Sequence, residues 1–338
     1  MNRVLHCAAA VVAVIWVAGC ASAPGAAAAG RFSFGLWGDM PYAKANDAPR
    51  IPALLASLNA SDIAFSIYDG DIKDGSSRCD DKTFDDALAM FGALERPVVY
   101  VPGDNEWTDC HRLNNGGFDN LERLAMLRKR MFAEPGSLGK TRLATERQGK
   151  PGVAYVENQR FVQQGVMFVT LNAPGSNNNL VLSAAECSRK SARKQAHCDA
   201  DNDEFAARDA ANIRWLRESF DRARQQQLIG VVVVFQADPG FDLPETEEVD
   251  ESQAAAVAGY RQFMSALEAE TQKFSGQVLL VHGDTHFFKL DMPLHSPNRL
   301  LTNFTRLQTF GSPAVHWVRV SVDPASPRVF SVQPVIVR

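Results

Sequence analysis

The sequence predicts an α/β fold in which short buried strands alternate with amphipathic helices. Two observations carry that expectation. Short apolar runs recur down the chain, separated by stretches whose apolar residues return every three or four positions. Two of those runs, Val231–Phe235 and Val278–Val281, are unbroken, as expected of strands covered on both faces. The composition supports a packed core: of 338 residues, 46% are hydrophobic and 22% charged, which argues against a disordered or fibrous chain.

In order, Phe32–Trp37 reads as a strand, Pro49–Asn59 as a helix, Ile63–Tyr68 as a strand and Phe84–Leu94 as a helix. Val98–Val101 comes next as a strand, Leu121–Phe132 as a helix and Val166–Leu171 as a strand. Strand–helix–strand alternation at this spacing implies parallel pairing through crossover helices. A long helix is predicted from about Glu204 to Gln226, because Ile213, Leu216 and Phe220 recur at helical steps with charges between them. A helix around Tyr260–Phe274 precedes the Val278–Val281 strand. His316–Val322 and Arg328–Val335 alternate like half-buried strands. The polar stretches Ser176–Asp203 and Pro239–Ser252 read as loops. No repeat or linker divides the chain after Arg31, so one domain over 31–338 is expected.

The amino terminus reads as an address. A short positive start at Asn2-Arg3 precedes an apolar run from Ala8 to Val17, well short of the roughly twenty residues that span a bilayer. Directly after it, Val17-Ala18-Gly19-Cys20 resembles a bacterial lipoprotein box. That resemblance implies a signal peptide over 1–19, lipidation of Cys20, a flexible Ala/Gly/Pro-rich tether over 20–30, and export to the periplasmic face of the outer membrane. Lipid would then be the chain's sole membrane contact. A net charge of −4 leaves no basic surplus for nucleic-acid binding by bulk charge.

Of six cysteines, Cys7 falls in the signal and Cys20 in the lipid box. The remaining Cys79, Cys110, Cys187 and Cys198 suit an oxidising compartment. Cys79 and Cys110 each come after a strand-end motif and are expected to pair. Cys187 and Cys198 would close a local loop. A zinc site is the rival reading, but no Cys-x-x-Cys spacing supports it.

The most informative residues stand at the ends of the buried strands. The five strand ends are Gly38-Asp39-Met40-Pro41-Tyr42, Asp69-Gly70-Asp71, Gly103-Asp104-Asn105-Glu106-Trp107, Gln236-Ala237-Asp238 and His282-Gly283-Asp284-Thr285-His286. One Gly-Asp is an ordinary turn signal. Five polar strand ends on one edge of a parallel sheet, where ligands bind, suggest a metal centre.

These motifs, in this order, resemble the calcineurin-like metallophosphoesterases, and the likeness runs through the helix carrying Trp215-Leu216. The resemblance implies a two-sheet β-sandwich flanked by helices, and a metal-dependent hydrolase of phosphate mono- or diesters. By position, Asp39, Asp71 and His286 fall on ligands of the first metal, with Asp71 bridging. Asp104, Gln236 and Asp284 fall on ligands of the second, and Asn105 falls on the catalytic histidine. The departures are specific. Pro41 replaces a histidine ligand, Asn105 cannot deliver a proton, and Gln236 and Asp284 replace nitrogen donors with oxygen. Asp39, Asp71, Asp104 and Asp284 would repel one another without cations. One or two divalent ions are therefore expected, and oxygen donors favour Mn²⁺, Mg²⁺ or Ca²⁺ over zinc.

With Asn105 in place of the histidine, Glu106 and His111 are the candidates for proton transfer to the leaving group, each with a bland reading as a solvated side chain. Lys73 and Arg78 are candidate phosphate contacts. Trp107 either stacks on a substrate or covers its loop, and His282 reads as a packed strand-end residue. Asn177-Asn178-Asn179 and the Cys187–Cys198 segment would shape specificity for a phosphorylated small molecule. The alternative is a non-catalytic binding lipoprotein that kept the fold. No Gly-x-Ser-x-Gly elbow supports a serine hydrolase.

Overall fold

The computed structural model describes residues 30–150, 154–241, 251–295 and 299–338. The expected signal peptide, Cys20 and all of the tether except Gly30 lie outside them. The chain begins with β1 (Phe32–Trp37), α1 (Ile51–Ala60), β2 (Ser66–Tyr68), α2 (Asp81–Gly92) and β3 (Val98–Tyr100). These strands pair in parallel, Gly35 opposite Ser66 and Ser66 opposite Val98. Next come α3 (Asn120–Met131), β4 (Glu146–Arg147), β5 (Gln159–Gln163), β6 (Val166–Thr170), the short turn α4 (Gly175–Asn178), α5 (Ala184–Ser188) and α6 (Gln195–Gln225). The chain finishes with β7 (Gly230–Val234), α7 (Arg261–Lys273), β8 (Gln277–His282), β9 (Lys289–Asp291), β10 (Phe304–Gln308), β11 (Trp317–Val322) and β12 (Phe330–Val335).

Two sheets result, a five-stranded one in the order β12-β11-β1-β2-β3 and a seven-stranded one in the order β4-β5-β6-β7-β8-β10-β9. Strand alternation decides what lies between them. Phe34, Leu36, Phe65, Ile67, Val99 and Val101 of the first sheet share one core with Phe168, Val232, Val234, Leu279 and Val281 of the second. The opposite residues of the same strands, Val231, Val233 and Leu280, pack with Trp215, Leu216 and Phe220 of α6 and Phe263 and Leu267 of α7. Trp37, Tyr68, Val98 and Tyr100 pack with Leu54 and Leu58 of α1, Phe84 and Phe91 of α2, and Leu124 and Leu127 of α3. The molecule is therefore a four-layer sandwich with helices outside both sheets. Every strand residue of β7 is buried because both faces are covered.

Several elements differ from expectation. The long helix starts at Gln195, not near Glu204, and the Ser176–Asp203 stretch holds α4, α5 and the first turns of α6. Its residues are polar because they bond specifically. Arg193 pairs with Asp201 at 2.7 Å, and the Asn202 side chain exchanges two bonds with the Val181 backbone. β5, β9 and β10 are absent from the apolar pattern. In β10 the reason is Arg306, which pairs with Asp291 of β9 and covers the Phe241 ring at 4.5 Å. Pairing is also mixed, since β11 runs antiparallel to β1. No helix among the described residues is long and apolar enough to cross a membrane.

Candidate metal centre

The carboxyl ends of β1, β2, β3, β7 and β8 lie along one edge, and the five motifs meet there. Glycines at those ends allow the approach. A Cβ at Gly103 would stand 2.1 Å from Asp71 Oδ1, and one at Gly283 would stand 2.1 Å from Asp39 Oδ2. Close packing of carboxylates, more than turn geometry, thus requires these glycines. Asp39, Asp71, Asp284 and His286 all sit at positive φ, between 49° and 74°. Non-glycine residues visit that region rarely, and clusters of such residues mark sites that the surrounding fold over-determines.

Asp39 is fully buried. Its Oδ2 accepts the Asp284 backbone N–H at 3.0 Å, while its Oδ1 has no hydrogen-bond partner and lies 3.6 Å from His286 Nε2. His286 Nδ1 is 2.7 Å from the Ser312 carbonyl oxygen. That oxygen can only accept, so Nδ1 carries the proton, and in the neutral ring the bare Nε2 faces the orphaned carboxylate oxygen.

Asp71 lies beside this pair. Its Oδ2 accepts from the Tyr42 hydroxyl at 2.7 Å and from Asn105 Nδ2, and its Oδ1 accepts the Asn105 backbone N–H at 3.1 Å. The Tyr42 ring meets the His286 ring edge-on at 5.1 Å. Tyr42 was not a sequence candidate, although it closes the first motif one residue after Pro41. On the other side, Gln236 Nε2 lies 3.3 Å from Asp104 Oδ1 and 3.4 Å from Asp284 Oδ1. Gln236 Oε1 accepts the Gly175 N–H, which fixes the amide so that its donor end points at the two carboxylates.

The remaining bonds come from α4. Ser176, Asn177, Asn178 and Asn179 are consecutively left-handed, with φ from 50° to 67°. Each such residue is unfavourable by about 1–2 kcal/mol without compensation. Arg208 of α6 compensates by donating to the Asn172 and Asn178 carbonyls at 2.8 and 2.9 Å. Tyr260 bridges the Pro174 carbonyl and the Asn178 N–H. The turn thereby holds Ser176 Oγ at 2.7 Å from Asp104 Oδ2 and 2.8 Å from Asp109 Oδ1.

Crowding makes the centre reluctant to ionise. Burial, then repulsion from Asp69 and Asp284, pushes Asp39 well above the usual carboxylate range. Asp71 is raised likewise by burial and then by Asp104, Glu106 and Asp39. Burial and Asp104 push Asp284 up to about 7 and Asp109 up to about 8.

The other sequence candidates occupy distinct places. Glu106 is wholly buried, and its Oε1 accepts from Tyr100 at 2.7 Å, Gly103 N at 2.8 Å and Asp71 N at 3.3 Å. His111 Nδ1 is 2.7 Å from the Thr108 carbonyl, and burial lowers its pKa to about 4. Trp107 is buried beneath Arg208, whose guanidinium lies 5.1 Å from a ring centroid, so it covers its loop and does not stack on a ligand. His282 is buried at its strand end. Lys73 is buried near Asp71, Glu106 and Asp109, and burial lowers its pKa. Arg78 is exposed and lies over Phe118. Disulfides join Cys79 to Cys110 and Cys187 to Cys198, with Cα–Cα distances of 5.6 and 5.9 Å.

Among the described residues, no three His, Cys, Asp or Glu side chains stand close enough to form a ready-made ion cage. The two halves of the centre differ in how they fit a cation. On the Asp39–His286 side, an unpartnered buried oxygen opposes a bare nitrogen, and a positive group between them would satisfy both. On the Asp104–Asp284 side, the Gln236 NH₂ already points into the gap, and a donor there opposes a cation.

No protein-family model matches the sequence, and no curated protein matches it. Among solved structures, it is similar to that of PhoD, at 9% identity and a TM-score of 0.53, over 92% of this chain and 70% of that one. It is also similar to GAP50, the anchor in the inner membrane complex of Plasmodium, at 10% identity and a TM-score of 0.46, over 91% and 89% of the chains. A third is the sulfate thiohydrolase SoxB of Thermus thermophilus, at 12% identity and a TM-score of 0.42, over 85% and 42%. The likeness to PhoD is one of fold, a mixed α/β architecture of two sheets with flanking helices.

Proposed function

We propose that the chain is an exported, lipid-anchored, metal-dependent phosphoesterase with an altered, carboxylate-rich centre, acting on a phosphorylated small molecule. The observation that carries this reading is the buried Asp39 Oδ1, unpartnered and facing His286 Nε2 at 3.6 Å. Asp39 and His286, with Asp71 beside them, would hold a divalent ion, for which Mn²⁺, Mg²⁺ or Ca²⁺ suits the oxygen-rich donors. When bound, the ion supplies Lewis-acid polarisation of a phosphoryl oxygen. The Ser312 carbonyl keeps the imidazole oriented. Tyr42 and Asn105 anchor Asp71, and Glu106 braces the strand ends from below.

Asn105 offers no transferable proton, and Glu106 is fully buried, its Oε1 accepting three hydrogen bonds while its Oε2 has no partner. Leaving groups that need little protonation, such as activated esters or anhydrides, would be turned over best. His111 lines the cavity beside the centre, but burial lowers its pKa to about 4 and the Thr108 carbonyl accepts from its Nδ1, so at pH 7 the neutral ring has no proton to give a leaving group. Two disulfides accord with export, with anchoring through Cys20 to the outer membrane's periplasmic face.

The test is cation-dependent hydrolysis of 4-nitrophenyl phosphate and bis(4-nitrophenyl) phosphate by the domain from Arg31 onward. Hydrolysis with Mn²⁺ that falls at least a hundredfold in Asp39→Asn and Asp71→Asn supports the reading. Absence of turnover with every divalent ion refutes it. The Gln236 amide, which occupies the second half of the centre, favours one other reading: a ligand-binding lipoprotein without turnover. Cation binding without hydrolysis would identify it.

A further inference from the structure

A cavity of about 610 Å³ opens beside the carboxylate centre and shares Asp284 and Ser176 with it. Both signs of charge line it. Asp238, Asp284 and Thr285 lie next to the centre and Asp109, Glu186 and Glu251 are further acidic residues, whereas the disulfide-closed 187–198 loop contributes Arg189, Lys190 and Arg193, and Arg112 adds a fourth cation. Leu180, Val181 and Val257 supply apolar lining.

The four cations are not equivalent. Arg112 is paired with Asp109 at 2.5 Å and Arg193 with Asp201 at 2.7 Å. Arg189 and Lys190 form no ion pair with any described residue, although carboxylates line the same cavity. Free cations near carboxylates would ordinarily swing onto them. The loop's backbone is fixed, which sets where these two side chains start: the Leu113 N–H donates to the Lys190 carbonyl at 2.9 Å, a β-bridge joins Arg112 to Ser191, and the disulfide closes the loop. Arg189 and Lys190, unpaired among the described residues, thus line a cavity whose other charged residues are mostly acidic.

We infer that this cavity binds the organic half of the substrate, and that this half carries a second anionic group, a carboxylate or another phosphate, received by Arg189 and Lys190. Leu180, Val181 and Val257 accommodate a short apolar segment between the reacting phosphate and that second anion. A guanidinium paired with an ammonium suits either anion through charge-assisted hydrogen bonds. This inference rests on the phosphoesterase reading for which end of the ligand enters the centre.

The experiment is calorimetric titration of the protein, with Mn²⁺ present, using methylphosphonate and a series of ω-phosphonocarboxylates with one to five methylenes. A bisphosphonate of matching length separates carboxylate from phosphate. At least one two-anion probe should bind about tenfold or more tightly than methylphosphonate. In the Arg189→Ala/Lys190→Ala double variant that advantage should vanish, with methylphosphonate binding unchanged. Both residues are exposed, so the fold should survive, and an unchanged melting temperature checks this. Equal binding of all probes, or equal weakening of all by the double variant, overturns the inference. Failure of the phosphoesterase reading shows separately, as absence of turnover by a protein that still discriminates between the probes.

Discussion

Replacing Asp284 by Asn tests whether the centre is held together against its own charge. In the folded protein Asp284 is pushed from 3.8 up to about 7, by burial first and Asp104 second. A folded-state value above the unfolded one means that its contribution to stability is full below about pH 4 and is lost as pH rises towards 7. Each pKa unit corresponds to about 1.4 kcal/mol, so the loss in chelator is roughly 4 kcal/mol, part of it shared with Asp104. With an unfolding entropy of about 2.1 cal/mol/K per residue, a chain of 338 residues shifts its melting point by roughly 6 °C for that energy. The side-chain swap also alters the contact with Gln236, which adds an offset independent of pH. The slope is therefore the signal. The melting temperature of the variant minus that of the wild type, measured by calorimetry in EDTA, should climb by several degrees between pH 4 and pH 8. A flat or falling difference would refute the claim that burial and repulsion strain this carboxylate.

Replacing Arg208 by Met should lower stability by about 3–5 kcal/mol, because Glu204 and the Asn172 and Asn178 carbonyls lose a buried partner. Chemical denaturation reads this directly, and a loss below 1 kcal/mol would show that the left-handed turn needs no such support. Gln236→His should raise the number of Mn²⁺ ions retained per chain, measured by elemental analysis after gel filtration. An unchanged count would show that the amide is not what excludes a cation. Removing Cys79–Cys110 by double Ser substitution should lower stability by roughly 3.5 kcal/mol, from a sequence separation of 31. A stability within 1 kcal/mol of wild type would show that the denatured chain gains little freedom.

The strand–helix alternation and the strand-end motifs were legible in the sequence, because parallel strands buried on both faces leave unbroken apolar runs such as Val231–Val234. The polar half of the molecule was not. Arg306 hides β10 because its charge is met across the β9–β10 pairing by Asp291, and α6 begins among residues that bond to neighbours without burying an apolar stripe. Within the centre, sequence position indicated which residues approach one another but not which way a side-chain amide points. Gln236 is turned by the Gly175 N–H, a contact across the fold that no local pattern encodes. Tyr42 escaped notice for a related reason: its hydroxyl reaches Asp71 from another strand end.

The pairing of β1 with β11 has a consequence for how the centre comes into being. Phe32 at the start of the domain is registered against Val322 near its end. A chain still emerging from the ribosome or a translocation channel lacks the strand that completes the first sheet, and also lacks Asp284 and His286. The acidic cluster therefore assembles only after β8 and β11 have emerged, and whichever ions surround the chain at that moment are the ones the cluster first meets.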